Sequence, residues 1–271
     1  MKHIIAGNIK LMIALFAIAM IFPYCQKYKE VASAEYPDQL IYMPAANEGN
    51  YLIDAISQPT GNTPTTGAPF RFIVDLADRK FIVPLAVYRS GVNNSGAFNV
   101  DIATDADTVT HLINTGILAS TEVLEPKSYS IPTSVNVMDG QEYVPFDLSI
   151  DLDFLRNHSG SEFVALAVGV SSTERDSNPN LSTTIVVIDT KIMKPVADFT
   201  STMDGQKVDF ANTSLYSQAN QWDFGDGTPV STDASPSHTY SGPGTYTVTL
   251  TATGITGEED QTTKTSEITV P

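Results

Sequence analysis

Hydrophobic side chains along this chain recur mainly at every second position, the period of a strand with one face buried and one in water. Val144, Phe146, Leu148, Ile150 and Leu152 share one face, while Asp147, Ser149, Asp151 and Asp153 fall on the other. Val135 and Val137 precede this run. Between them lies Asp139-Gly140, a dipeptide suited to a two-residue turn because both positions tolerate positive φ. The pattern predicts a β-hairpin over 134–153. Residues 40–44, 70–76, 81–88 and 97–103 read as further strands, and Pro84, lacking an amide donor, predicts an edge position or a bulge for its strand. Residues 162–170 (EFVALAVGV) are apolar on both faces, as in a strand covered on both sides, and 184–188 (TIVVI) give a last strand. One short helix fits between Asp107 and Thr115. Val109, Leu112 and Ile113 share its face, Asp105 or Asp107 caps it, and Gly116 stands at its stop position. Residues 40–190 thus predict a β-sandwich of about seven or eight strands.

A second pattern opens at Pro195-Val196 and runs to the end of the chain, 195–271. Ala197 and Phe199 share a face, as do Val208 and Phe210, and Trp222 and Phe224 flank an outward Asp223. Gly225 and Gly227 permit a tight turn in which the Asp226 carboxylate can bond backbone amides. Tyr246, Val248 and Leu250 then alternate with Thr245, Thr247, Thr249 and Thr251, as on a strand with one wet side, and Ile268 and Val270 close the module. Trp222 and Tyr246 are expected to dominate this core.

The first 25 residues break the pattern. Lys2, His3 and Lys10 precede an uninterrupted apolar run over 11–22, too short for the ~20 residues of a membrane span but suited to a signal peptide. Cys25, the single cysteine, follows within three residues, and residues 26–39 read as a polar tether. With one cysteine no intrachain disulfide forms, so burial and the strand ladders hold the cores. The formal net charge is −16, and loss of residues 1–25, which carry two lysines and no acid, would make it −18. Such a field repels phosphate backbones and anionic lipid, which argues against nucleic acid and makes a neutral ligand a better fit than a sulfated or uronate-rich one.

Two resemblances join these residues to known families. WDFGDGT over 222–228, then His238-Thr239-Tyr240, then GPGTYTVTLT over 242–251, resemble a PKD domain, an immunoglobulin-like sandwich. That resemblance implies structural roles for Trp222, Asp223, Phe224, Gly225, Asp226, Gly227, Tyr240 and Tyr246, and a task of spacing or of protein or polysaccharide contact, without catalytic residues. Some relatives bind Ca²⁺, but no dense acidic loop stands in this module. Residues 40–190, through LIYMP, FIVPLAVY, NVDIATDAD and the 134–153 run, resemble a domain of unassigned function near the N-terminus of Bacteroidota surface lipoproteins. This implies a non-catalytic accessory role in glycan capture. Cys25 stands where bacterial lipoproteins are cleaved and acylated. Tyr24 departs from the small residue usual before that cysteine, which leaves a plain cleaved signal or an uncleaved anchor open.

Candidate chemistry is sparse. His111 and His158 stand apart, His238 reads as structural, and neither HExxH nor G-x-S-x-G occurs. Asp147, Asp151 and Asp153 read as a solvated strand face, and Asp101, Asp105 and Asp107 as surface and cap, rather than as catalytic pairs or Ca²⁺ ligands. Residues 58–69 read as a turn-rich loop. Rings near strand ends, Tyr88, Tyr129 and Tyr143 with Phe98 and Phe154, are candidate sugar platforms. The whole reads as an all-β, non-catalytic lipoprotein of the cell envelope, at the outer membrane or cell surface. Its two tandem sandwiches help bind or position a polysaccharide or oligosaccharide and touch the membrane only through the anchor. The alternatives are a structural or adhesive spacer contacting a neighbouring envelope protein, and an envelope hydrolase.

Overall fold

The computed structural model describes residues 39–56, 71–91 and 93–271. The leader with Cys25, all of the tether but Gln39, and the loop over 58–69 lie outside the described residues. No helix among the described residues is long and apolar enough to cross a membrane.

The first sandwich is built from β1 (Leu40–Tyr42), β2 (Asn50–Ile53), β3 (Ile73–Asp75), β4 (Lys80–Arg89), β5 (Phe98–Asp105), helix α1 (Ala106–Asn114), β6 (Thr121–Val123), β7 (Tyr129–Ser130), β8 (Ser134–Val137), β9 (Tyr143–Asp151), helix α2 (Leu152–Arg156), β10 (Phe163–Ser171), β11 (Asp176–Ser177) and β12 (Thr183–Asp189). They form two six-stranded sheets, β11-β1-β4-β9-β7 with β3 flanking β4, and β2-β12-β10-β5-β8 with β6 beside β10. The strand number exceeds the expected seven or eight because β1, β3, β6, β7 and β11 span three residues or fewer. Such runs are too short to show a period. Phe81, Val83, Leu85 and Val87 of β4 join Val164, Leu166 and Val168 of β10 in one buried cluster between the sheets. On the other face of β10, Ala165 and Ala167 pack with Val109 and Leu118, so α1 covers that sheet. The run that is apolar on both faces is thus buried on both. Asp105 caps α1 by accepting from the amides of Asp107 and Thr108 at 2.9 and 3.1 Å.

Three expectations are corrected. The turn at Asp139-Gly140 forms, with Gln141 N donating to Met138 O at 3.1 Å and Gly140 at φ 82°. The flanking strands do not pair, however: β8 joins β5 in one sheet and β9 joins β4 in the other. The segment is an arch between sheets, because Val137 and Phe146 both bury in the shared core and that burial outweighs a local ladder. Pro84 stands on an interior strand. β3 ends its pairing with β4 at Ile82 and β1 begins at Tyr88, so Pro84 lies in a gap where no donor is missed. The acidic row also divides. The β9 strand ends at Asp151, whose carboxylate caps α2 by accepting from Phe154 N at 2.9 Å, and Asp153 turns to Arg79 and Arg156.

The second sandwich has two three-stranded sheets. One is β13 (Phe199–Asp204), β14 (Lys207–Asn212) and β16 (Ser237–Thr239); the other is β15 (Ala219–Asp223), β17 (Gly244–Gly254) and β18 (Gly257–Val270). Trp222, Tyr240, Val208, Val248 and Leu250 are fully buried between them. Tyr240 rather than Tyr246 fills the centre. Tyr246, near the β17 start, is half-buried and stacks on Tyr240 at 4.1 Å.

The sandwiches are joined without a loose segment. The 3-10 turn over Thr190–Met193 is capped by Asp189, which accepts from Lys191 N at 2.9 Å. Ile192 and Met193 are buried in the larger core. At the far end of the β17–β18 hairpin, Ile255 enters that same core.

Candidate functional site

Strand alternation decides which tyrosines can gather. Phe81, Val83, Leu85 and Val87 of β4 point inward, so Tyr88 faces out. Antiparallel registers set Tyr42 of β1 and Tyr143 of β9 on either side of it. The Tyr42–Tyr88 centroids lie 5.7 Å apart, and the Tyr88–Tyr143 rings stack at 5.0 Å and 15°. Burial, with Tyr143, Tyr42 and Glu142 nearby, pushes the Tyr88 hydroxyl pKa above its ordinary value. Tyr143, at the end of this row, is 47% exposed. Beside it an open depression of ≈ 340 Å³ is lined by Gln141, Glu142, Tyr143 and Pro145. The β7 strand reaches β9 only at Ser149 and Ile150. On that side the Tyr143 end of β9 has no strand partner among the described residues, and Pro145 blunts it as a template for an added strand.

Arg89 holds the rim of this depression. Its backbone N donates to Glu142 O at 3.0 Å, and its buried guanidinium donates to Met138 O at 2.7 Å and Ser95 O at 3.0 Å. Burial lowers its pKa, and Arg175 nearby adds to that.

Of the other candidate platforms, Tyr129 packs on the core and donates its hydroxyl to Thr104 Oγ1 at 3.1 Å. Phe98 is buried beneath Arg89 and Arg175, and Phe154 packs on the core beside His158. Tyr42 was missed. Its signal was the alternation of LIYMP, which turns Ile41 and Met43 inward and Tyr42 out.

In the second sandwich the turn after Trp222 is tied by its own acids. Asp223 accepts from Gly225 N at 2.9 Å, and Asp226 accepts from Thr228 N at 3.1 Å and from Thr228 Oγ1. His238 Nε2 lies 2.7 Å from Asp226 Oδ2. Its ring lies parallel to Phe224 at 4.1 Å and edge-on to Tyr240 at 4.7 Å. The Tyr240 hydroxyl donates to Phe224 O at 3.1 Å. Residues 193–270 match the family described as "PKD domain". The C-terminal sandwich is a PKD domain. The PKD1 domain of the Vibrio cholerae metalloprotease PrtV is similar to it at 38% identity, covering 28% of this chain and 96% of that one, with a TM-score of 0.27. The pre-pro-metalloprotease PrtV of Vibrio cholerae serotype O1 is 30% identical over 159 residues, 57% of this chain. This chain spans 15% of that protein's length. A multidomain protein including DUF1735 from Bacteroides ovatus is similar at 14% identity, covering 64% of this chain and 52% of that one, with a TM-score of 0.33.

Inside the PKD domain Asp226 is the strongly perturbed acid. Burial alone would raise its pKa, but hydrogen bonds from Thr228 and His238 outweigh it and bring the pKa to about 2. A carboxylate depressed on folding stabilises the fold above its unfolded pKa and loses that contribution as pH falls through the folded value. The side chain is 10% exposed, and a shift of this size corresponds to at most about 2 kcal/mol. Asp226→Asn is expected to lower stability by up to about 2 kcal/mol at pH 7, the gap to wild type closing between pH 4 and 2. Urea melts across that range measure it, and a gap independent of pH would overturn the assignment.

The remaining titratable candidates stay apart. His111 is exposed on α1 and Asp101 on β5, while His158 Nε2 lies 3.6 Å from Glu122. Among the described residues no three His, Cys, Asp or Glu side chains gather as metal ligands would, and no Ca²⁺ site is assigned.

Proposed function

We propose that this chain is a non-catalytic envelope protein, lipid-anchored through Cys25, whose first sandwich binds a neutral glycan beside Tyr143. One observation carries the reading: three tyrosine rings are backed against one another on an outer sheet face and end in an exposed ring beside an open depression. Tyr88 is enclosed by its neighbours, which leaves Tyr143 as the ring able to stack on a sugar. Gln141 and Glu142 supply polar groups at the rim. The Glu142 carboxylate disfavours uronates and sulfates. Pro145 on the free edge favours a side-chain ligand over an added peptide strand. The PKD domain, non-catalytic in type, serves this reading as a spacer.

Binding of the full chain to a panel of immobilised neutral and acidic polysaccharides tests it. Tyr143→Ala is expected to weaken binding to a neutral glycan by tenfold or more, the roughly 1.4 kcal/mol of one hot-spot ring. Tyr129→Phe should leave it unchanged. No binding to any glycan, together with capture of an envelope protein, would replace this reading by the spacer.

A further inference from the structure

The tip of the β17–β18 hairpin is Gly254-Ile255-Thr256-Gly257, an unusual place for a bulky aliphatic residue if the PKD domain stood free. Ile255 is 4% exposed and Thr256 2% exposed. Ile255 belongs to the core cluster of the larger sandwich, not to that of the PKD domain. Tyr216, on the loop between β14 and β15, packs against the same cluster. Behind the tip Gly254 has no room for a side chain, since a Cβ there would lie 2.8 Å from the Pro195 ring.

Charged groups surround this apolar contact. Arg79 and Arg156 of the larger sandwich reach Glu259 at 2.8 and 2.7 Å, and Arg156 Nε donates to Asp260 at 2.7 Å. Asp153 holds both arginines from their own side, and Thr256 donates to Asp260. Arg156 and Asp260 are 17% and 14% exposed. At that depth the pair is held by geometry rather than by screened surface attraction. The turn entering the PKD domain is itself anchored by buried Ile192 and Met193. Hinge motion would have to withdraw Ile255 from the larger core and break the paired arginines together.

We infer that the two sandwiches form one cooperative body, with the PKD hairpin completing the core of the larger sandwich, so that neither swings nor melts without the other. The chain's single tryptophan, Trp222, lies in the PKD domain, so its fluorescence follows that module, while far-UV circular dichroism follows the strands of both. In urea melts of the full chain the two signals are expected to give one coincident transition. Ile255→Ala should shift both midpoints down together. Ile255→Asp, which drives a carboxylate toward an apolar pocket, should separate the midpoints or abolish the structure of both sandwiches. Glu259→Gln combined with Asp260→Asn, which leaves the core intact, should lower both midpoints less. Non-coincident signals in the wild type would overturn the inference. So would an Ile255→Ala shift confined to the fluorescence curve, or Ile255 variants that melt as wild type.

Discussion

Trp222→Ala is expected to destabilise the protein by about 3–5 kcal/mol, the range for removing a buried aromatic ring. The indole is fully buried and stands edge-on to Phe199 at 5.2 Å and tilted to Phe210 at 5.5 Å. Its Nε1 donates to Asp233 O at 3.1 Å, and its backbone pairs in both directions with Ser231. Truncation therefore opens a cavity between two three-stranded sheets and leaves the Asp233 carbonyl without this donor, in a domain with few apolar residues to collapse inward. Because the two sandwiches melt as one body, the single transition of the full chain should move down as a whole, with no state in which only the larger sandwich stays folded. Thermal melts by circular dichroism measure this, and a loss below about 1 kcal/mol would mean that the indole does not organise this core.

The second large effect concerns one of two glycines that look equivalent in the sequence. Gly225 and Gly227 have φ of 74° and 80°. A Cβ on Gly227 would meet nothing within 4 Å, whereas one on Gly225 would overlap the carbonyl oxygen of Thr247 and lie 2.9 Å from its nitrogen. Those atoms are backbone of a central strand and cannot move aside without distorting the ladder. Gly225→Ala should cost about 2–5 kcal/mol, summing left-handed strain and overpacking. Gly227→Ala should cost only about 1–2 kcal/mol, from strain alone. Equal losses in parallel urea melts would show that the close approach of the two backbones is not what reserves position 225 for glycine.

This contrast also shows how far the chain could be read without coordinates. Alternation was enough to orient Tyr88, Tyr143, Trp222 and Phe224, and the doubly apolar 162–170 run announced a strand covered on both sides. Partner choice was not legible. The Asp139-Gly140 turn has hairpin chemistry, yet β8 and β9 part into different sheets, because pairing is decided by which faces bury together across the whole sandwich. Tyr42, Tyr88 and Tyr143 are scattered over about a hundred positions, and only the β1–β4 and β4–β9 registers bring them into a row. Similarly, Ile255 reads as a stray apolar residue at a turn until a second core is placed around it.

The turn over Thr190–Met193 has a bearing on resistance to proteolysis. A protease cleft accepts an extended, accessible stretch of backbone, and junctions between modules commonly supply one. Here Ile192, Met193 and Pro195 are buried although Lys191, Lys194 and Val196 are exposed, so a protease could seat this junction in extended form only after its apolar side chains had left the core.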